Sequence, residues 1–297
     1  MSETVTTTTT VERDGELEDW EAEEELADAS ITIGLGKTGE RGSGYHVRND
    51  PAQPLQRQTV VEQRGLIEAR CQSLEIVHGV LSPESNEWAT LLVYQINLDT
   101  TKRSRRIVSA TVSFEFSSST PRARAPRIHE FSPSRRIALL ATTQDQTVTR
   151  GLEAGVDSSA ATIVGAGLSA KWVKSVSKTV TDEARVTGST LSDGFGRNVG
   201  ASWVLSENKS IKSGVPSQLR CAMLLARDDN GPFQCKVTIN AEADWKSKLT
   251  NLFGTSPTDD PVLFDPTIKP TNRLRKTGYN LDNLGEIDLE ELSEIRF

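Results

Sequence analysis

The feature that most constrains the fold is a two-residue alternation of apolar and polar side chains between about Thr59 and Asp244. Successive side chains of a β-strand point to opposite faces, so this period predicts strands that bury one face and leave the other in water. The clearest run is Val108, Ala110, Val112, Phe114 and Phe116, which alternate with polar residues. Similar runs surround Tyr94, Trp203 and Cys221.

Turn-forming residues separate these runs, as in Ser132-Pro133 and in residues 228–232. Short strands divided by such turns predict a mainly β protein with an antiparallel β-sandwich over residues 59–255. The sequence predicts one short helix near residues 244–253, because Asp244 can cap its first turn and Gly254 can end it.

Both ends of the chain are acidic. Residues 1–30 hold eleven acids and one base, and residues 282–297 hold six acids and one base. Since the whole chain carries −7, residues 31–281 carry +8. We expect residues 1–58 to be a disordered acidic tail followed by a Gly/Pro-rich linker, and residues 256–297 to be an extended acidic C-terminal segment.

The positive charge of the body is concentrated between residues 102 and 136. This stretch predicts an anion-binding face that the acidic tails can mask, with anionic lipid or nucleic acid as the partner. The alternative is scattered surface charge that only keeps the protein soluble. The candidate anion-binding residues are Lys102, Arg103, Arg105, Arg106, Arg122, Arg124, Arg127, Arg135 and Arg136.

Residues 146–191 are unusual because apolar residues occupy most even positions for about forty residues. One strand of a sandwich is rarely so long, so the pattern predicts two or three long strands joined by turns, with a helix over residues 168–184 as the rival interpretation. Long hairpins with one apolar face resemble the inserting hairpins of β-pore-forming proteins. The alternative is a set of long sandwich strands packed on one face.

No motif in the chain specifies catalysis or a cofactor. The three cysteines, at positions 71, 221 and 235, fit core thiols in a reducing compartment, so we expect a cytoplasmic protein, with the nucleus as the other location. Residues 36–38 lack the spacing of a phosphate-binding loop. Acidic residues in 228–230 and 259–265 are turn residues or, in the alternative, calcium ligands. We expect no cofactor and leave open an enzyme with a site built from loops.

One resemblance to a known group supports a β-rich fold. Residues 203–208 (Trp-Val-Leu-Ser-Glu-Asn), 213–216 (Ser-Gly-Val-Pro) and 259–266 (Asp-Asp-Pro-Val-Leu-Phe-Asp-Pro) resemble an uncharacterised β-rich protein family of filamentous fungi over residues 60–290. The resemblance implies an intracellular β-rich protein and assigns no functional residue.

The sequence therefore predicts a non-enzymatic intracellular binding or interaction module with an unidentified protein partner, a basic body and acidic masking tails. The alternative is a membrane-acting protein that uses long amphipathic β-hairpins in residues 146–191. No run of apolar residues is long enough for a transmembrane helix, and the oligomeric state is open.

Overall fold

The computed structural model describes residues 46–64, 67–85, 87–101, 105–121, 123–150, 174–244, 259–275 and 278–297, with the backbone alone for 144–150 and 174–180. These residues form thirteen strands and a 3-10 helix at Leu284–Glu286. The strands build two antiparallel sheets that pack together, which confirms the predicted β-sandwich. The acidic N-terminal tail and the helix predicted near residues 244–253 lie outside the described residues, apart from Asp244.

The first sheet has seven strands and the second has six. In the first, β1 (Thr59–Gln63), β2 (Ile67–Val80), β3 (Trp88–Thr100), β9 (Gln218–Arg227) and β13 (Glu294–Arg296) lie in this order, while β12 (Thr271–Asn272) pairs with β2 and β5 (Arg127–Ser132) with β9. In the second, the order is β11 (Val262–Phe264), β10 (Phe233–Ala243), β4 (Ile107–Ser118), β8 (Asn198–Ser206), β7 (Lys174–Ser192) and β6 (Arg136–Arg150).

Aromatic side chains from both sheets meet in the core between them. The ring of Phe114 lies 4.8 Å from that of Tyr94 and 5.8 Å from that of Trp203, measured between centroids. Trp203 is fully buried, and its indole N–H donates a hydrogen bond of 2.9 Å to the carbonyl oxygen of Pro133. The alternation in β4 therefore buries one face as predicted, with Ala110, Val112, Phe114 and Phe116 inside.

Strands β3 and β9 differ from the predicted one-sided burial because both of their faces are buried over much of their length. A second apolar cluster lies on the outer face of the first sheet, where the C-terminal segment packs over it. The strands contribute Leu91, Val93 and Leu224, and the segment contributes Leu284, Leu289 and Leu292. The segment predicted as merely extended thus supplies strands to both sheets and covers a sheet face.

Residues 46–57 also pack against the C-terminal part of the chain. The backbone N–H of Val47 donates to the Asp259 carboxylate at 2.6 Å, and that of Asn49 donates to the Asp260 carboxylate at 3.0 Å. The guanidinium of Arg57 donates to the carbonyl oxygens of Asp260 and Pro261. The packed part of the described chain therefore begins before residue 59, which is the start predicted from the alternation.

Candidate functional site: the β6–β7 hairpin

The structure joins the two halves of the unusual segment into one long hairpin. Strands β6 and β7 pair antiparallel from Arg136, opposite Thr187, to Arg150, opposite Lys174. Strand β7 pairs with β8 only over residues 185–192. The hairpin therefore has a part that belongs to the sheet and a part, formed by residues 142–150 and 174–182, in which the two strands pair only with each other among the described strands. We call the second part the free ribbon.

A β-bulge marks the boundary between these two parts. The pairing register shifts between Leu139 and Thr142, and Leu140 has a positive φ of 49°. A positive φ is uncommon for a residue with a branched apolar side chain, so surrounding contacts must hold the backbone there. The side chain of Leu140 is 47% exposed. The bulge therefore leaves Leu140 partly exposed to solvent at the point where the ribbon leaves the sheet.

Asn208, in the loop after β8, holds this boundary together. Its side chain is fully buried, and its two amide N–H groups are shared among the carbonyl oxygen of Leu140 at 2.7 Å, the hydroxyl of Thr142 at 3.0 Å and the carbonyl oxygen of Asp182 at 3.1 Å. Its side-chain oxygen accepts the backbone N–H of Ser210 at 3.0 Å. One carboxamide therefore bonds both strands of the hairpin and its own loop.

Asp182 adds a second connection between the hairpin and the same loop. Its carboxylate accepts the backbone N–H of Ser210 at 2.8 Å and the Ser210 hydroxyl at 3.2 Å. The hydrogen bond from the Ser210 backbone is the main reason that the pKa of Asp182 lies below its ordinary value. Asp182 therefore stays ionised and keeps its acceptor oxygens at neutral pH.

The structure describes six of the nine candidate anion-binding residues, while Lys102, Arg103 and Arg122 lie outside the described residues. Several of the described residues form ion pairs. The pairs are Arg106 with Glu207 and Asp244, Arg124 with Asp228, Arg127 with Glu87, Arg135 with Glu290, and Arg136 with Glu183.

These residues do not lie on one face. Arg105 and Arg106 directly precede β4, at the end of the sandwich where the free ribbon leaves, whereas Arg124 and Arg127 follow β4 at the opposite end. The length of β4 separates the two groups by about 40 Å at the usual rise per residue. The anion-binding property of the stretch stays a prediction, and so does its masking by residues 1–30, which lie outside the described residues.

The cysteines predicted to be core thiols are confirmed as free and buried. Burial raises the pKa of each thiol, so none of them is a ready nucleophile or metal ligand. Their positions are Cys71, Cys221 and Cys235.

His78 is the one buried histidine of the described chain, and its ring nitrogens contact Gln56 at 2.6 Å and Thr90 at 3.0 Å. Burial, helped by the nearby charge of Arg227, lowers the pKa of His78 to about 4. Because both His78 and Thr90 are buried, this is the arrangement of a neutral core histidine hydrogen-bonded to a core hydroxyl.

The acidic loops considered as calcium sites contain turns. Asp229 accepts the N–H of Gly231 at 2.8 Å, and Asp265 accepts the N–H of Thr267 at 2.9 Å. Across the described ranges, no group of three or more histidine, cysteine or acidic residues is arranged to hold a metal ion.

Sequence reasoning missed Asn208 and Asp182 as determinants of this region. Asn208 sits in Asn-Lys-Ser, whose form suggests only a glycosylation acceptor. There is little signal in the sequence here, because residues 137–141 are apolar at every position and show no alternation whose phase could change. The bulge is therefore visible only in the strand pairing.

None of the helices in the described part of the chain is both long and apolar enough to cross a membrane. No protein-family model matches the chain, and no curated protein matches it. Among solved structures, the chain is similar to the NetB toxin of Clostridium perfringens in its membrane-inserted form. The two share 9% sequence identity with a TM-score of 0.26, over 65% of this chain and 87% of that chain.

Proposed function

We propose that the protein acts on lipid membranes without enzymatic chemistry, and that the β6–β7 hairpin is the part that enters the bilayer. The observation that carries the proposal is the free ribbon, in which residues 142–150 and 174–182 pair with each other and with no third described strand. A two-stranded ribbon is marginally stable in water on its own. A ribbon that continues this far past the sheet is therefore suited to a second environment.

The register of the ribbon supports an amphipathic hairpin. Val148 lies opposite Val176, and residues directly opposite in an antiparallel pair share a face. Their sequence neighbours on the other face are Thr147, Thr149 and Ser177, while the face of the two valines also carries Arg150, Lys174 and Lys178. Membrane strands need this alternation, since one face meets lipid and the other meets water.

The same alternation continues in the sequence of residues 151–173, which lie outside the described residues. The even positions there include Leu152, Val156, Val164, Leu168 and Trp172. The 23 residues supply two segments of about ten residues and a turn, and a membrane strand needs about 9–11 residues.

Basic residues flank this apolar stretch. Arg150 and Lys174 are opposite each other at the last described pair of the ribbon, and Lys178 lies four residues further along β7. Long basic side chains are favoured at the boundary between hydrocarbon and headgroups, where they bind anionic lipid. The proposed target is therefore a membrane that contains anionic lipid.

Dye release from phosphatidylcholine–phosphatidylserine vesicles tests the proposal with two adjacent substitutions. Leu168→Arg places a charge on the proposed lipid face, which costs about 2–4 kcal/mol near the bilayer centre and should lower the rate of dye release by about 30-fold or more. Ser169→Arg adds the same charge on the other face and should change the rate by less than about threefold.

Two results would contradict the proposed function. The intact protein would release no dye from anionic vesicles, or the two arginine variants would behave alike. Circular dichroism of both variants before lipid is added controls for folding.

The charge distribution suggests that residues 1–30 restrain membrane binding. These residues carry −10, and the body they would cover carries +8. Deletion of residues 1–30 should strengthen binding to anionic vesicles, and salt should weaken it because screening shortens the range of the attraction. Unchanged binding after the deletion would show that the tail masks nothing.

A further inference from the structure

The loop after β8 presents apolar and basic side chains beside the base of the hairpin. Ile211 is 49% exposed and Leu140 is 47% exposed. One carboxamide joins their backbones, because Asn208 donates to the carbonyl oxygen of Leu140 and accepts the backbone N–H of Ile211 at 3.4 Å. Lys209 and Lys212 lie within two residues of Ile211 and are exposed. We call Leu140, Lys209, Ile211 and Lys212 the hairpin-base surface.

The backbone of the hairpin-base surface is fixed by its own contacts. Leu140 and Lys212 have positive φ values of 49° and 52°, which are uncommon for residues other than glycine. The Asp182 carboxylate accepts the backbone N–H and the hydroxyl of Ser210, so the loop is held against the hairpin. A partner that binds here does not have to order the loop, and this pre-organisation favours binding.

The two lysines of this surface carry charge that no described acid neutralises. Neither forms an ion pair within the described ranges, whereas the nearby Arg106 is paired with Glu207. The opposite end of the sandwich differs, because the 87% exposed Phe195 has beside it the guanidinium of Arg197, which is paired with Asp193. The hairpin-base surface therefore suits a partner that is both acidic and apolar.

The chain itself contains a segment with these properties in residues 11–30. Ten acids and one base give this segment a net charge of −9, and the acids surround Leu17, Trp20 and Leu26. Leu26 is separated by 19 residues from His46, the first described residue. Such a stretch spans about 60 Å when extended, which exceeds the length of about 40 Å for β4. The segment can therefore reach the hairpin-base surface of its own chain.

We propose that residues 11–30 dock on the hairpin-base surface of the same chain. Their acids bind Lys209 and Lys212, and their apolar side chains cover Leu140 and Ile211. The docked segment places its net charge of −9 where the ribbon leaves the sheet, and this charge repels an anionic membrane. The effect on membrane binding rests on the proposed function, whereas the docking does not.

Photo-cross-linking in the full chain tests the docking without lipid. A p-benzoylphenylalanine in place of Ile211 should form cross-links to residues 11–30, which mass spectrometry of the digested protein identifies. The same group in place of Phe195, at the opposite end of the sandwich, should give about tenfold fewer such cross-links, because docking raises the local concentration of the segment only at its own site. Equal yields from the two positions, or no cross-link from position 211 to residues 11–30, would overturn the proposal.

Two charge-reversal variants of equal net charge separate docking at this surface from attraction to the whole body. Lys209→Glu with Lys212→Glu should lower the cross-link yield from position 211 by about fivefold or more. Lys236→Glu with Lys269→Glu, at exposed positions elsewhere in the fold, should lower it by less than about twofold because salt screens distant charges. Equal losses in the two variants would overturn docking at the hairpin-base surface. Cross-links between isotope-labelled and unlabelled chains in a mixture would overturn docking within one chain.

Dye release connects the docking to membrane action. Leu17→Ser with Trp20→Ser keeps the charge of the segment and removes apolar contacts, so it should lower the cross-link yield and raise the rate of dye release from anionic vesicles by about threefold. A lost cross-link with an unchanged rate of release would overturn the regulatory role of the docking. Absence of release by the unaltered protein would defeat the proposed function, whereas the cross-link result would still decide where residues 11–30 dock.

Discussion

The side-chain amide of Asn208 donates a hydrogen bond of 2.7 Å to the carbonyl oxygen of Leu140, the residue with positive φ at the base of the hairpin. This bond ties the loop after β8 to the point where the free ribbon leaves the sheet. Asn208 makes hydrogen bonds to Leu140, Thr142 and Asp182, and each bond of this kind contributes about 0.5–1.5 kcal/mol.

We therefore expect Asn208→Ala to lower the free energy of unfolding by about 3 kcal/mol, measured by chemical denaturation. Asn198→Ala is the matched control, since Asn198 is exposed and its amide oxygen accepts only from the exposed Ser192 hydroxyl. The control should change stability by less than about 0.5 kcal/mol. Equal losses in the two variants would contradict the role given to Asn208.

His78 should make the protein less stable in acid. Its pKa falls from 6.5 to about 4 on folding, chiefly through burial, so the unfolded chain binds a proton that the folded protein does not. The contribution of the neutral ring to the free energy of unfolding is fully present above about pH 6.5 and is lost as the pH falls toward 4. One pKa unit corresponds to about 1.4 kcal/mol, so the loss reaches about 3 kcal/mol once the pH has fallen below the folded pKa.

Denaturation at pH 7 and pH 4.5 measures this effect. His78→Gln removes the titrating group, and we expect its stability to change less between the two pH values than that of the unaltered protein. His129→Gln, at an exposed position, should retain the full pH dependence. A pH dependence that persists in His78→Gln would assign the acid sensitivity to other groups, among which Asp265 near His78 is the first to test.

The C-terminal segment approaches the first sheet too closely for a side chain at Gly79. A Cβ atom there would overlap the carbonyl oxygen of Leu281, which accepts the backbone N–H of Val80 at 2.7 Å. Gly79→Ala should lower stability by about 1–3 kcal/mol through overpacking, and limited proteolysis should cut the segment faster.

Gly194→Ala is the control for this prediction because no atom lies within 4 Å of a Cβ built there. The control should leave both stability and the proteolysis rate unchanged. If the protease cuts the C-terminal segment no faster in Gly79→Ala than in the control, the contact does not hold the segment in place.

The alternation in the sequence predicts most of the strands correctly because side-chain period follows directly from strand geometry. It does not predict the burial of both faces of β3 and β9, since the leucines that cover them come from residues 284–292, far along the chain. A segment with alternating acids and leucines indicates amphipathicity but does not indicate which surface it will cover.

The long strands of the hairpin were predictable from the alternation, but the contacts at its base were not. Even-numbered apolar residues in 146–191 predict long strands, but the contacts of Asn208 with Leu140 and Asp182 at the bulge form only when distant parts of the chain meet. The basic stretch shows the same limit, since sequence proximity placed Arg106 and Arg124 together while β4 separates them in the fold.

If the β6–β7 hairpin enters the bilayer as proposed, the even-numbered positions of the sequence between Arg150 and Lys174 should face lipid. Single cysteines at positions 166 to 171, each labelled with an environment-sensitive fluorophore, test it in anionic vesicles that contain spin-labelled lipid. Labels at 166, 168 and 170 should be quenched by the lipid spin label, and those at 167, 169 and 171 should stay in water. Labels that show no quenching, or no difference between even and odd positions, would contradict the account.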